Sequence, residues 1–175
     1  RGKLVWSPQS NLRLYGETTQ AARAIELGIP VGLGADWLPS GSASLLAELK
    51  VARERLVAQG VQLTEKQLSR KLVRMVTQDA AAIAGLSQWL GELSPGRPAD
   101  ITVLERLHED PYRSVVEADP AEVELVTIGG FLAYGRSDWM DHLAPSPDLE
   151  PVLAWGKEMM LDTSYAAAPG AGFPV

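Results

Sequence analysis

Apolar residues in the first part of the chain form two short runs on either side of a segment with helical spacing. Residues 3–6 and residues 29–33 are largely apolar, and each run predicts a buried strand. Between the runs, residues 10–16 predict a loop, and Thr18 or Thr19 is expected to cap a helix that ends at a glycine. Strand, helix and strand within about 35 residues are typical of a βαβ unit with parallel strands.

Three further helices are predicted after this unit. Residues 42–59 repeat apolar side chains at intervals of three and four, which predicts an amphipathic helix. Thr64 and Gln67 have the spacing of a capping box, so a second helix is expected to begin there. Thr77 is expected to cap a third, alanine-rich helix that ends at Gly85.

Beyond residue 87 the helical spacing gives way to segments typical of strands. Strands are predicted at 101–104, in a hairpin formed by 123–128 and 131–134, and in a second hairpin formed by 152–155 and 158–161. A short helix is expected to start at Asp110-Pro111. Residues 166–175 are rich in Ala, Gly and Pro and predict a loose tail. The pattern therefore predicts an α/β fold.

Charge and composition exclude several classes of function. The chain has 16 Lys and Arg against 22 Asp and Glu, and its net charge of −6 is the wrong sign for binding nucleic-acid phosphates. Since cysteine is absent, a metal would have to be bound by His, Asp or Glu. Because no apolar run approaches the ~20 residues that span a bilayer and no signal peptide is evident, we expect a cytoplasmic protein without a membrane partner. The start at Arg1, directly before an apolar run, predicts a piece of a larger protein.

Asp36 is the first candidate for chemistry. It follows the second predicted strand, and α/β sheets and barrels place catalytic groups at the C-terminal ends of parallel strands. Gly32 and Gly34, just before it, allow the backbone to approach a ligand closely. The alternative is that Asp36 only caps the helix that follows, and its position is compatible with both interpretations.

Ser10 and Asn11 follow the first predicted strand, on the same face of the sheet as Asp36. Asn11 can offer a donor and an acceptor to a substrate or close an Asx-turn, and the spacing favours the turn. The two histidines, His108 and His142, do not form a metal-binding pair, and both are expected at the surface.

Several segments together carry a family resemblance. In chain order they are WSPQSNLRLYG (6–16), GLGADW (32–37), PSGS (39–42), LAELKVA (46–52), the helix at 75–86 and LGELSPGRPADI (90–101). They resemble the C-terminal part of the amidohydrolase superfamily, in the branch of the cyclic-amidine deaminases, triazine chlorohydrolases and imidazolonepropionase-like enzymes.

The resemblance implies the C-terminal fragment of a (β/α)8 TIM barrel, with its last two strands and following helices, and part of a small β-sandwich domain. Residues 1–87 would form the barrel portion, residues 88–165 the sandwich portion and residues 166–175 a flexible tail. The family acts on small molecules and depends on a divalent metal, usually zinc, with iron as an alternative.

The resemblance also implies roles for single residues. Asp36 would match the aspartate at the end of the eighth strand, which binds the metal and shuttles a proton between the attacking water and the leaving group. Ser10 and Asn11 would match the Ser-Asn pair that shapes the substrate pocket. Trp37 would be a wall of that pocket.

The departures from the family pattern are as informative as the matches. The family's metal-binding histidines are absent from this sequence, and a single carboxylate cannot hold a catalytic metal. We therefore expect a metal-dependent hydrolase of non-peptide C–N bonds, of the deaminase or cyclic amidase type, that is inactive as this chain alone and binds no metal by itself. Such a chain would self-associate or need the missing N-terminal half. The alternative is a truncated or assembly module that keeps the fold without metal chemistry.

Overall fold

The structure is a computed structural model that describes residues 2–143 and 148–164. Its helices are α1 (Pro8–Tyr15), α2 (Ala21–Glu26), α3 (Leu45–Ala58), α4 (Glu65–Met75), α5 (Gln78–Ala84), α6 (Pro111–Glu117) and α7 (Ser137–Leu143). Its strands are β1 (Leu4–Trp6), β2 (Val31–Leu33), β3 (Ile101–Leu104), β4 (Val123–Ile128), β5 (Phe131–Arg136), β6 (Leu149–Ala154) and β7 (Lys157–Asp162). The predicted tail at 166–175 lies outside the described residues.

The chain forms two compact units. The first comprises Arg1–Arg97 and Arg106–Pro120, and the second comprises Pro98–Glu105 and Ala121–Val175. The first unit contains β1, β2 and the helices α1 to α6, whereas the second contains β3 to β7 and α7. The α/β fold predicted from the sequence pattern is confirmed.

The parallel strand pair predicted at the start of the chain is confirmed. Strands β1 and β2 pair in parallel, with Leu4 opposite Val31 and Trp6 opposite Leu33. All three residues of β2 are buried, as expected for a parallel strand that is covered on both faces. Helices α1 and α2 lie between the two strands, and the apolar runs together with the helical spacing before Gly28 predicted the strands and α2.

The loop predicted at residues 10–16 is wrong, because the chain folds there as helix α1. Pro8 occupies the first turn, where its fixed φ favours a helix and its missing N–H costs nothing. Gly16, with a φ of 73°, ends the helix. The N–H of Gln9 donates to Glu48 Oε1 at 3.0 Å, so a distant residue stabilises the helix start.

The predicted cap of α2 is also wrong. The N-cap residue is Gln20, and no side chain caps the helix. The Thr18 hydroxyl accepts from Trp6 Nε1 and donates to Asn11 Oδ1, so it is already used in tertiary contacts. The Thr19 carbonyl accepts from the side chain of Gln59, at the C-terminal end of α3.

The helices α3, α4 and α5 form where the pattern predicts them. Ser44 caps α3, and the predicted capping box of Thr64 and Gln67 at the start of α4 is confirmed. Helix α5 ends at Gly85, as predicted, but Thr77 makes no side-chain cap. Its hydroxyl donates instead to the carbonyl of Val73, one turn earlier, at 2.8 Å.

The core of the first unit lies between its two strands and its helices. The largest fully buried apolar side chains there are those of Trp6, Val31, Leu49, Leu56, Leu68, Leu72 and Met75. Helix α6 packs on α3 and α4 and adds Val116, which is also buried. Lys50 holds the end of this segment by donating to the Ala118 carbonyl and to Asp119.

The second unit contains one antiparallel sheet of five strands in the order β3-β4-β5-β7-β6. Both predicted hairpins are confirmed, although each of their strands except β4 differs from the prediction by at least one residue. Glu124 is nearly buried and is paired with Arg136 and Lys157, at 3.1 and 3.0 Å. Helix α7 was not predicted, and it covers Gly135 through the sulfur of Met140.

Asp79 links α4 and α5 through two cationic side chains. Its carboxylate accepts from Lys71 Nζ at 2.7 Å and from Arg74 at 2.9 Å. Burial raises the pKa of Asp79, but the hydrogen bonds and charges of Lys71 and Arg74 outweigh it and hold the pKa below its ordinary value. The ionised carboxylate therefore stabilises the fold.

Replacing Asp79 with Asn is expected to lower the free energy of unfolding at neutral pH by about 1 kcal/mol. Because the pKa is lower in the folded than in the unfolded chain, the contribution is present above about pH 4 and is lost as the pH falls through the folded value. Urea unfolding at a series of pH values should therefore show the difference from wild type shrinking in acid. Glu54→Gln, at an exposed position of α3, is the control. A difference independent of pH would contradict the assignment.

Within residues 2–143 and 148–164, no helix combines the length and the apolar character needed to cross a membrane.

Candidate functional site

Asp36 lies in the loop that follows β2. Because β2 runs parallel to β1, this loop leaves the C-terminal end of the strand pair, the edge at which α/β proteins place reactive groups. The side chain is exposed, and the backbone has a φ of 60°, a left-handed conformation that Asp tolerates better than most residues. The structure therefore presents this carboxyl group to solvent on a constrained backbone.

Backbone hydrogen bonds close the loop that carries this carboxyl group. The Trp37 carbonyl accepts from the N–H groups of Ser40 and Gly41, at 3.0 and 2.7 Å. The Ala35 carbonyl accepts from the N–H of Ser42 at 3.3 Å. A Cβ at Gly41 would lie 1.8 Å from the Ala35 carbonyl oxygen, so the closure requires glycine at this position.

Ser10 of α1 contacts the loop that carries Asp36. Its side chain is 1% exposed, and its Oγ lies 3.0 Å from the Oγ of Ser40. Hydrogen bonding from Ser10 is the largest cause that lowers the pKa of Asp36, followed by the N–H of Trp37, while burial opposes the shift. Hydrogen bonding from Ser10 and from the Trp37 N–H thus favours the ionised carboxylate.

Asn11 belongs to a different set of contacts. Its Oδ1 accepts from the Thr18 hydroxyl at 3.0 Å, and that hydroxyl accepts from Trp6 Nε1 at 2.7 Å. These bonds tie α1 to the segment before α2. The predicted Asx-turn is wrong because Asn11 lies inside a helix. A contact of Asn11 with substrate stays a prediction.

Trp37 follows Asp36 in the loop, and its side chain is 70% exposed. The next residue, Leu38, is 69% exposed. Two large apolar side chains therefore lie beside the carboxyl group without being covered by the described residues. A pocket wall at Trp37 stays a prediction.

The alternative role of Asp36 as a helix cap is wrong. Helix α3 begins only at Leu45, and its N-cap is Ser44, whose Oγ accepts from the Ala47 N–H at 3.2 Å. The carboxyl group of Asp36 is therefore not used to start the helix that follows it.

Comparison with known proteins shows which family contains this chain and its Asp36 loop. The family model described as "Amidohydrolase family" matches residues 3–133. The chain belongs to the amidohydrolase family. The matched segment includes both strands of the first unit, the Asp36 loop and the helices that follow. The resemblance read from the sequence is confirmed.

A curated relative among the amidohydrolases is the 5-methylthioadenosine/S-adenosylhomocysteine deaminase of Symbiobacterium thermophilum. It is 29% identical over 140 residues, which are 73% of this chain and 31% of the relative. The chain thus spans about a third of the length of this curated relative.

Two solved structures have a similar fold over about three quarters of this chain. The guanine deaminase of E. coli superimposes with a TM-score of 0.66 at 23% identity, over 78% of this chain and 35% of that chain. The atrazine chlorohydrolase of Arthrobacter aurescens, solved in complex with zinc, has a TM-score of 0.59 at 25% identity, over 74% of this chain and 30% of that chain. The proteins to which this chain is similar are thus named as deaminases and a chlorohydrolase.

The residues described here do not by themselves fit the divalent metal of such enzymes. Among residues 2–143 and 148–164, no three His, Asp or Glu side chains are grouped as a metal site. His108 Nε2 lies 2.6 Å from Glu117 Oε2, and His142 Nδ1 lies 2.7 Å from the Asp138 carbonyl oxygen. Both histidines thus have partners of their own, and Asp36 is the one candidate ligand that the sequence offered.

Sequence reasoning gave no role to three residues that shape this loop, although all three lie in segments that carry the family resemblance. Ser40 completes the hydroxyl pair with Ser10, Gly41 allows the loop to close, and Glu48 binds the start of α1. The Ser-Gly pair was visible in the sequence as a turn-forming combination. Glu48 gave no local signal, because its partner is 39 residues earlier in the chain.

Proposed function

We propose that this chain forms the last two strands and following helices of a metal-dependent amidohydrolase barrel, with part of its small β-sandwich. The enzyme would hydrolyse a non-peptide C–N bond of a small molecule, as a deaminase or cyclic amidase. Residues 1–87 would supply the barrel portion and residues 88–165 the sandwich portion. The observation that carries the proposal is the exposed Asp36 carboxyl group at the C-terminal end of β2, inside the segment matched by the family model.

Asp36 would act as a ligand and as the group that moves a proton. A divalent metal in such enzymes supplies a water of lowered pKa. Within this chain, hydrogen bonding from Ser10 lowers the pKa of Asp36, so the carboxylate carries the negative charge that a metal ligand needs. It would then accept a proton from the attacking water, whose pKa the metal would lower. Asn11 and Trp37 would contact the substrate. The same proton would then pass from Asp36 to the leaving nitrogen.

The proposal requires residues that this chain does not contain. One carboxylate falls short of the three or more protein ligands of a catalytic zinc site. The relative from S. thermophilum is matched over only 31% of its length, which leaves most of a barrel to supply the other ligands. Zinc is the metal we propose, because it is present in a solved relative, with iron as the alternative. Cytoplasmic location is part of this proposal.

The experiment that tests the function measures metal content and hydrolysis together. The chain is analysed alone and after mixing with the part of the S. thermophilum deaminase that it does not match. We expect zinc retention and hydrolysis of an aminopurine nucleoside in the mixture only. Metal absent from both samples would overturn the proposal and favour a non-catalytic assembly module, the alternative suggested by the lack of a metal cluster among the described residues.

The partner surface is proposed to be the open side of the β1–β2 pair. Parallel sheets are normally covered on both faces, yet Val5 in the middle of β1 is 63% exposed. Within the described residues, β1 and β2 pair only with each other. Their outer edges would bind the neighbouring strands of the barrel or, without them, a second copy of the chain.

The isolated chain is therefore expected to sediment as a dimer or larger species at micromolar concentration. Val5→Lys should shift it to a monomer, because burying an unpaired charge in the contact costs more than the apolar contact contributes. Val57→Lys is the matched control, since Val57 is 56% exposed on α3. A monomer in the wild type, or the same shift in both variants, would contradict this surface.

A further inference from the structure

Glu48 is a buried acid with one oxygen left without a partner. It lies in the first turn of α3, and its side chain is completely buried. Oε1 accepts from the Gln9 N–H at 3.0 Å, whereas Oε2 has no hydrogen-bond partner among the described residues. An unpartnered oxygen at this depth costs stability, so packing alone does not explain an acid at this position.

The Gln9 contact takes the place of a helix cap. Helix α1 has Ser7 at its N-cap position, and the Ser7 side chain makes no capping hydrogen bond. The N–H groups of a first helical turn have no partner within the helix. Pro8 has no N–H to satisfy, so Gln9 has the first free donor, and Glu48 supplies its acceptor from another helix.

The first turn of α1, which Glu48 binds through the Gln9 N–H, also contains Ser10, the serine that contacts the Asp36 loop. Ser10 directly follows Gln9, is 1% exposed, and is 3.0 Å from Ser40 in the loop of Asp36. We propose that Glu48 is a positioning residue that fixes the first turn of α1 and thereby sets the place of Ser10 beside Asp36. The placement of α1 stands independently, and only its consequence for hydrolysis rests on the proposed function.

The test uses hydrogen exchange and resonance positions in the full chain. Glu48→Gln keeps an oxygen that can accept from Gln9, so the exchange rate of the Gln9 amide should stay within about threefold of wild type. Glu48→Met removes the acceptor at similar size, and the rate should rise about tenfold. In Glu48→Met the amide resonances of Ser10 and Asp36 should also move.

Two further variants keep the result decisive. Glu48→Asp retains the carboxyl group on a side chain that is shorter by one methylene, so it should also lose the Gln9 contact. It replaces Glu48→Met as the test if the Met side chain is not accommodated. Glu54→Met, at the exposed position on the same helix, is the matched control and should change neither resonance.

Three outcomes would overturn the proposal. The first is an equal exchange rate of the Gln9 amide in Glu48→Met, Glu48→Asp and the control Glu54→Met. The second is a Glu48→Gln variant in which the Gln9 amide is not protected. The third is faster exchange throughout α3, which would mean a general loss of structure. Because none of these readouts needs a metal or a substrate, failure of the proposed function leaves the result intact. Hydrolysis by the mixed enzyme is measured separately, and we expect kcat to fall in Glu48→Met while Glu48→Gln retains it.

Discussion

Asp36→Asn is expected to lower kcat of the mixed enzyme by about 10²- to 10⁴-fold. Asn has the shape of Asp and can still accept from Ser10, but its amide cannot take up a proton at neutral pH. The change therefore removes proton transfer and one candidate metal ligand while leaving the loop nearly unaltered. Initial rates and zinc content, measured on the same samples, report the two losses separately.

Asp141→Asn is the control for this prediction. Asp141 is an exposed carboxyl group of α7 in the second unit, so its neutralisation changes the net charge by the same amount as Asp36→Asn. We expect it to retain wild-type hydrolysis. A mixed enzyme that keeps its rate with Asn at position 36 would show that this carboxyl group is not the catalytic group.

Gly41→Ala is expected to have the largest effect on the loop itself. The new Cβ would lie 1.8 Å from the Ala35 carbonyl oxygen and 3.2 Å from the Trp37 carbonyl oxygen, and both are backbone atoms. Relief of this clash requires the loop to open, which breaks the 2.7 Å hydrogen bond from the Gly41 N–H to Trp37. We expect a loss of about 1–3 kcal/mol in the free energy of unfolding. Chemical denaturation measures this loss, and the Asp36 amide resonance should move with it.

Gly34→Ala is the matched control for the loop. A Cβ at Gly34 would meet Ser7 and Val5 side-chain atoms at 3.5 Å, which is ordinary van der Waals contact. The stability of this variant should stay close to wild type. Equal destabilisation by the two alanines would show that the close approach at Gly41 does not govern the loop.

These two glycines illustrate how far the sequence alone leads. The sequence suggests that Gly34 matters because it lies just before Asp36 at the end of a strand, yet the structure leaves room for a side chain there. Gly41 lies in one of the segments that carry the family resemblance, but the need for glycine there becomes visible only when the Ala35 carbonyl is placed against it. A close approach between backbone segments depends on the path of the loop, which local sequence patterns do not specify.

The helices show the same division. The capping box at Thr64 is predicted correctly because all its atoms lie within one turn of chain. Thr18 and Thr77 have the same capping chemistry, but one is bound by Trp6 and Asn11 and the other by its own preceding turn. A hydroxyl makes few bonds, and a tertiary partner can take those that a cap would need.

The sequence alone predicted the order of the strands and of helices α2 to α6, the α/β class, the resemblance to the amidohydrolase family and the position of Asp36 at the end of a parallel strand. Each of these depends on spacing along the chain, because apolar periodicity and short motifs are local properties. The tertiary structure alone decided that residues 8–15 are a helix, that Ser10 and Ser40 meet beside Asp36, and that Glu48 holds the helix start. Those contacts join residues about 30 to 40 positions apart, and only the folded chain brings them within hydrogen-bonding distance.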